Sequence, residues 1–142
     1  MDAMPVVNPA VAASLEAWHK LVEARDMSGL DPLLAEDAVF RSPMAHNPYP
    51  SAAAVKLILG TVIKVFEDFT YHRQLSSADG QNVVLEFSAR VGDRQLKGID
   101  MIRFNEQGKI VDFEVMVRPM SGLQALGEEM SRRLAPILAK MR

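Results

Sequence analysis

The chain has 142 residues, 49% apolar and 24% charged, which is enough apolar material for one globular domain to bury a core. Sixteen Lys and Arg stand against eighteen Asp and Glu, so no basic excess exists to hold nucleic acid. Cysteine is absent, which excludes disulfide scaffolds, thiolate metal sites and cysteine nucleophiles.

Residues 1–13 (MDAMPVVNPAVAA) carry no Lys or Arg and no continuous apolar run, unlike a secretory leader, and the other apolar stretches are too short to span a membrane. The expectation is a cytoplasmic protein with neither nucleic acid nor membrane as partner. One domain is expected over 1–142, with its core at about 9–118 and a C-terminal helix at about 121–140.

In chain order, Asn8-Pro9 reads as a helix start, because Asn accepts a free backbone N–H and Pro lacks one to satisfy. Val11, Leu15, Trp18 and Val22 follow at helical spacing, and Asp26 to Gly29 interrupt. A shorter helical segment, Leu30 to Ala35, comes next. Ala38 to Phe40 form a short strand, followed by Pro43 and the loop Met44 to Pro50. Ser51 caps a further helix with Val55, Ile58, Leu59, Val62 and Phe66 on one side.

The apolar period then changes. Residues 68–117 hold four strand-like stretches separated by turn residues at Asp79-Gly80, Gly92-Asp93 and Asn105 to Gly108. Short loops imply an antiparallel meander, since parallel neighbours need long crossovers. Pro119 ends the last strand. Ser121 with Gln124 forms a capping box for a final helix striped by Leu123, Leu126, Met130 and Leu134, and Pro136 should kink or shorten its end. Helices kept apart from an antiparallel sheet define an α+β fold.

The Gly92-Asp93 turn fixes a register. As a two-residue loop it sets Val91 opposite Arg94, Ala89 opposite Leu96, Phe87 opposite Gly98 and Leu85 opposite Asp100. Directly paired residues share a face, so Asp100 sits among Leu85, Phe87, Leu96, Gly98 and Ile102, while Glu86, Ser88 and Arg90 take the other face. Apolar surroundings disfavour the charged form of a carboxyl and raise its pKa. Such a group donates a hydrogen bond or pairs with a cation. His46, in the loop after the first strand, is the candidate general base.

Phosphate-binding glycine loops and nucleophile elbows are missing, and the three histidines have no metal-ligand spacing. Neither a cofactor nor a metal is expected.

The order of elements and the run GIDMIRFNEQGKI at 98–110 resemble the nuclear transport factor 2-like superfamily, and within it the SnoaL-like group. That resemblance implies a cystatin-like α+β roll: a cone-like curved antiparallel sheet wrapped around the N-terminal helices, plus the C-terminal helix. The local match is to ketosteroid isomerases, whose aspartate at the position of Asp100 is protonated and donates to an oxyanion. Their tyrosine donor falls at Trp18, and their aspartate base falls at Ser42, before Pro43. A serine hydroxyl cannot carry a proton between two carbons, so steroid isomerisation is not expected. The W-R-D segment of limonene epoxide hydrolases meets Phe113-Glu114-Val115, without its aspartate.

The resemblance also turns Phe113, Val115 and Val117 to the cavity and makes a homodimer through the outer sheet face. The expected function is an apolar pocket for a small hydrophobic molecule with a carbonyl or hydroxyl. Asp100 and His46 would be its catalytic groups, and Trp18, Ser42, Leu85, Phe87, Gly98, Ile102, Phe113, Val115 and Val117 its ligand-binding wall. Isomerase, cyclase or dehydratase chemistry would follow. The alternative is a binding or assembly module without turnover.

Overall fold

In the computed structural model the described residues are 6–141, with side chains described for 6–137. The first five residues of the segment read as leaderless lie outside them. Helix α1 spans Pro9–Ala24, and its buried side chains are Val11, Leu15, Trp18 and Val22, the stripe expected from spacing. Asn8 is its N-cap, but by backbone only: no side-chain cap forms, and its N–H donates to the Gly80 carbonyl at 3.2 Å.

The segment at 30–35 is not a helix. A single 3-10 turn, Asp31–Leu33, leads directly into strand β1 at Leu34–Arg41, with Leu34 already extended. A two-residue strand β2, Tyr49–Pro50, pairs antiparallel with β1. Helix α2, Ala52–Val65, is capped by Ser51, whose hydroxyl accepts the Ala54 N–H at 3.2 Å. Phe66 lies one residue past its end and is extended rather than helical, yet buried.

Strands β3 (Glu67–Ser76), β4 (Asn82–Val91), β5 (Arg94–Phe104) and β6 (Ile110–Arg118) form the expected meander. The six-stranded sheet has the order β2-β1-β6-β5-β4-β3. It is mixed rather than wholly antiparallel, because β1 runs parallel to β6. The β4–β5 register is the one set by the two-residue turn, with Leu85 opposite Asp100 and Phe87 opposite Gly98. Gly92 supplies the positive φ, 60°, that such a turn asks of its first residue.

Helix α3, Met120–Met141, begins one residue early, so the capping box does not form. Gln124 instead donates along the helix to Glu128 at 3.2 Å. Pro136 stands inside the helix and does not end it. Among the described residues no helix is long and apolar enough to cross a membrane.

Candidate functional site

Between α1, α2, the inner sheet face and α3 lies a cavity of about 300 Å³. Its walls are almost wholly apolar: Phe40, Ile58, Val62, Phe69, Phe113 and Val115 are typical. One carboxyl opens into it. Asp100 is buried, and among the described residues its one hydrogen-bond partner is Tyr71, whose hydroxyl donates to Oδ2 at 2.6 Å. The Trp18 indole Nε1–H donates in turn to the Tyr71 oxygen at 3.0 Å.

Burial lifts the Asp100 pKa to about 7, against the opposing pull of the Tyr71 hydrogen bond. Burial and the adjacent carboxyl push the Tyr71 phenol well above its ordinary value, so it keeps its proton. At neutral pH the site therefore holds a carboxyl with an accessible acid form beside a phenol that keeps its proton.

Of the residues expected at the site, Trp18, Ser42, Asp100, Phe113 and Val115 line this cavity. Leu85, Phe87 and Ile102 share the Asp100 face but are fully buried in the core and do not line the cavity. Gly98 makes room for protein rather than ligand, since a Cβ there would come within 2.7 Å of the Phe87 ring. Val117 is half-buried against the core, away from the cavity. His46 sits exposed on its loop and is not part of the lining. Trp18 lines the cavity, and its N–H is spent on Tyr71.

Two contributors escape sequence reasoning. Tyr71 reaches Asp100 because β3 carries one more residue than β4 between the pairs Gln74–Leu85 and Tyr71–Phe87. Without that bulge Tyr71 would face Ser88 and point outward. Helix α3 supplies Leu126, Met130, Ser131 and Leu134 to the rim. Its stripe was legible, but the surface it covers was not.

Among the described residues no group of three or more His, Asp or Glu is arranged to hold a metal ion. The outer sheet face is different in character. Glu86 is buried there between Arg73 and Lys97, whose side-chain hydrogen bonds hold its carboxyl well below the usual range, and Met101 and Met116 are partly exposed nearby.

The SnoaL-like domain family matches residues 15–113. The chain belongs to the SnoaL-like family. A steroid delta-isomerase from Pseudomonas aeruginosa is 68% identical, with 96% of this chain and 99% of that one covered and a TM-score of 0.92. A bacterially conserved protein with a cystatin-like fold from Silicibacter pomeroyi DSS-3 is 34% identical, covering 86% and 85%, with a TM-score of 0.81. The epoxide hydrolase/cyclase-like enzyme SalBIII, which acts in pyran ring formation in salinomycin, is 16% identical, covering 78% and 92%, with a TM-score of 0.63. It shares the fold alone. No curated protein matches the sequence.

Proposed function

We propose that this SnoaL-like protein takes a small, largely apolar molecule with a carbonyl or hydroxyl oxygen into the cavity, and that Asp100 in its acid form donates to that oxygen. The observation that carries this reading is a lone carboxyl, raised to a pKa of about 7, in an otherwise apolar cavity. An acid in such a place polarises a carbonyl or protonates a leaving hydroxyl, the first step of isomerase, cyclase and dehydratase chemistry.

Steroid isomerisation is not part of the proposal, although the relative from Pseudomonas aeruginosa bears that name. That reaction needs a second group to shuttle a proton between carbons. Among the described residues the lining has no further carboxylate and no histidine, and Ser42 occupies the corresponding place. The same observation supports a second reading, binding without turnover.

Thermal melting with matched apolar ketones and hydrocarbons tests the binding, since a ligand raises stability by mass action. Ketones should stabilise the wild type more than hydrocarbons, and Asp100→Ala should erase the difference. An equal response to both sets would overturn the role of Asp100. Product analysis with the ketones that bind separates turnover from binding, and isomerisation of a β,γ-unsaturated steroid ketone by the wild type would overturn the exclusion of that reaction.

The proposal includes pairing of two copies through the outer sheet face, where exposed Met101 and Met116 lie beside the Arg73–Glu86–Lys97 cluster. Light scattering should give twice the chain mass, and Met116→Glu should halve it. Cytoplasmic residence belongs to the same proposal, and a secreted or periplasmic pool on cell fractionation would contradict it.

A further inference from the structure

We infer that Trp18 is a positioning residue that fixes the direction of the hydrogen bonds running to Asp100, and so keeps the acid's proton on Oδ1, the oxygen left to the cavity. The inference rests on the proposed role of Asp100 as a donor, and it names what makes that donor point at a ligand.

A carboxylic acid has two oxygens and one proton. Buried beside a phenol, it has two arrangements of similar geometry. In one, the phenol donates to Oδ2 and the acid proton sits on Oδ1, facing the cavity. In the other, the acid donates from Oδ2 to the phenol, and Oδ1 becomes a bare carbonyl oxygen that can only accept. The first arrangement binds a ketone. The second binds an alcohol.

Trp18 decides between them, because an indole N–H donates and never accepts. At 3.0 Å from the Tyr71 oxygen it occupies the accepting side of that hydroxyl. The phenol's own proton is then free only for Asp100, 2.6 Å away. Reversal would turn the Tyr71 proton toward the indole N–H, with no acceptor there, since Trp18 and Asp100 are the hydroxyl's hydrogen-bond partners among the described residues. A hydroxyl-bearing residue at position 18 would both donate and accept, and would permit either direction.

Infrared spectroscopy of the full chain, without ligand, reads this directly. At about pH 5 Asp100 is protonated, and Asp100→Asn identifies its carboxylic C=O band by difference. In the wild type that C=O is Oδ2 and accepts from Tyr71, which lowers its stretching frequency. In Trp18→Phe the direction is released, Oδ1 becomes an unbonded C=O, and the band should move to higher frequency. Tyr71→Phe should move it likewise, and the double variant should add nothing further.

The chain has one tryptophan, so replacing it biosynthetically with benzothienylalanine changes position 18 alone. This isostere carries sulfur where the indole carries N–H, and it supplies the test if Trp18→Phe does not fold. It should move the band upward as well, and change the preference for cyclohexanone over cyclohexanol toward the alcohol. A band that stays in place in the folded analogue protein overturns the inference while leaving Asp100 a donor. Absence of any Asp100 acid band in the wild type overturns both.

Discussion

The ring of Phe87 fills the space that a side chain on Gly98, its cross-strand partner, would need. A Cβ at Gly98 would lie 2.7 Å from Phe87 Cζ and 2.4 Å from the Met116 carbonyl oxygen. The second contact is with backbone, which cannot swing aside. Phe87 in turn stacks on Phe69 at 5.0 Å, and Phe69 lines the cavity. Gly98→Ala should therefore destabilise the fold by about 2 kcal/mol, read as a lower denaturant midpoint with an unchanged slope.

Asp100 makes stability depend on pH in an uncommon direction. Its folded pKa is about 7, whereas an unfolded aspartate titrates near 4. Between those values the folded chain holds a proton that the unfolded chain has released, so stability falls as pH rises from about 4 to about 7 and levels off above. The contribution is on the order of 4 kcal/mol. His19, whose pKa burial lowers, acts in the opposite sense up to about 6.5. The comparison of wild type with Asp100→Asn removes that background. Urea midpoints should agree between the two near pH 3, below the unfolded pKa, and the Asn variant should become progressively the more stable as pH rises to 8.

Arg25 ties the first two helices together. It takes the left-handed conformation at the end of α1, with φ 53°, and donates to the carbonyls of Ile63, Lys64 and Phe66 at 3.2, 3.1 and 2.8 Å. Two of those three residues, Ile63 and Phe66, line the cavity. The last carbonyls of a helix have no partner within it, and a cation there also meets the negative end of the helix dipole. Arg25→Met keeps the aliphatic length but removes the donors. A loss of about 2 kcal/mol is expected in chemical denaturation.

Ser42 offers a gain-of-function experiment. Its hydroxyl accepts the Met44 N–H at 3.0 Å, a role that an aspartate retains. Ser42→Asp places a second carboxyl in the lining opposite a ready acid. Conversion of a β,γ-unsaturated ketone to its conjugated isomer should rise roughly 100-fold above the wild-type background, and fall again in the Ser42→Asp, Asp100→Asn double variant.

How far the site was legible follows from where alternation survives. The Gly92-Asp93 turn is two residues long and the β4–β5 ladder has no irregularity, so the pairing of Leu85 with Asp100 propagates from the turn without error. On β3 the ladder slips between Glu67 and Thr70 and again between Tyr71 and Gln74. Asp68, at φ 54°, sits in the first slip, but no residue type marks the second, and Tyr71 was invisible as a partner of Asp100. Sharing a face was also a weaker property than lining a cavity. Phe87 and Ile102 fill the depth of the core, and the open space lies nearer β3, β6 and α3. The parallel pairing was hidden for a different reason: β1 and β6 are distant in sequence, and no local signal records which strand a distant one will meet.

That pairing between β1 and β6 is long-range. Residues 34–41 pair with the distant segment 110–114, so closing this ladder costs more chain entropy than closing any hairpin of the meander. Phe40 and Ser42, at the end of this strand, are part of the cavity wall. The hairpins between β3 and β6 close through short loops and assemble early by comparison. Ketone binding in the cavity therefore depends on this long-range pairing, which the local hairpins do not need, and a bound ketone reports on that pairing rather than on secondary structure.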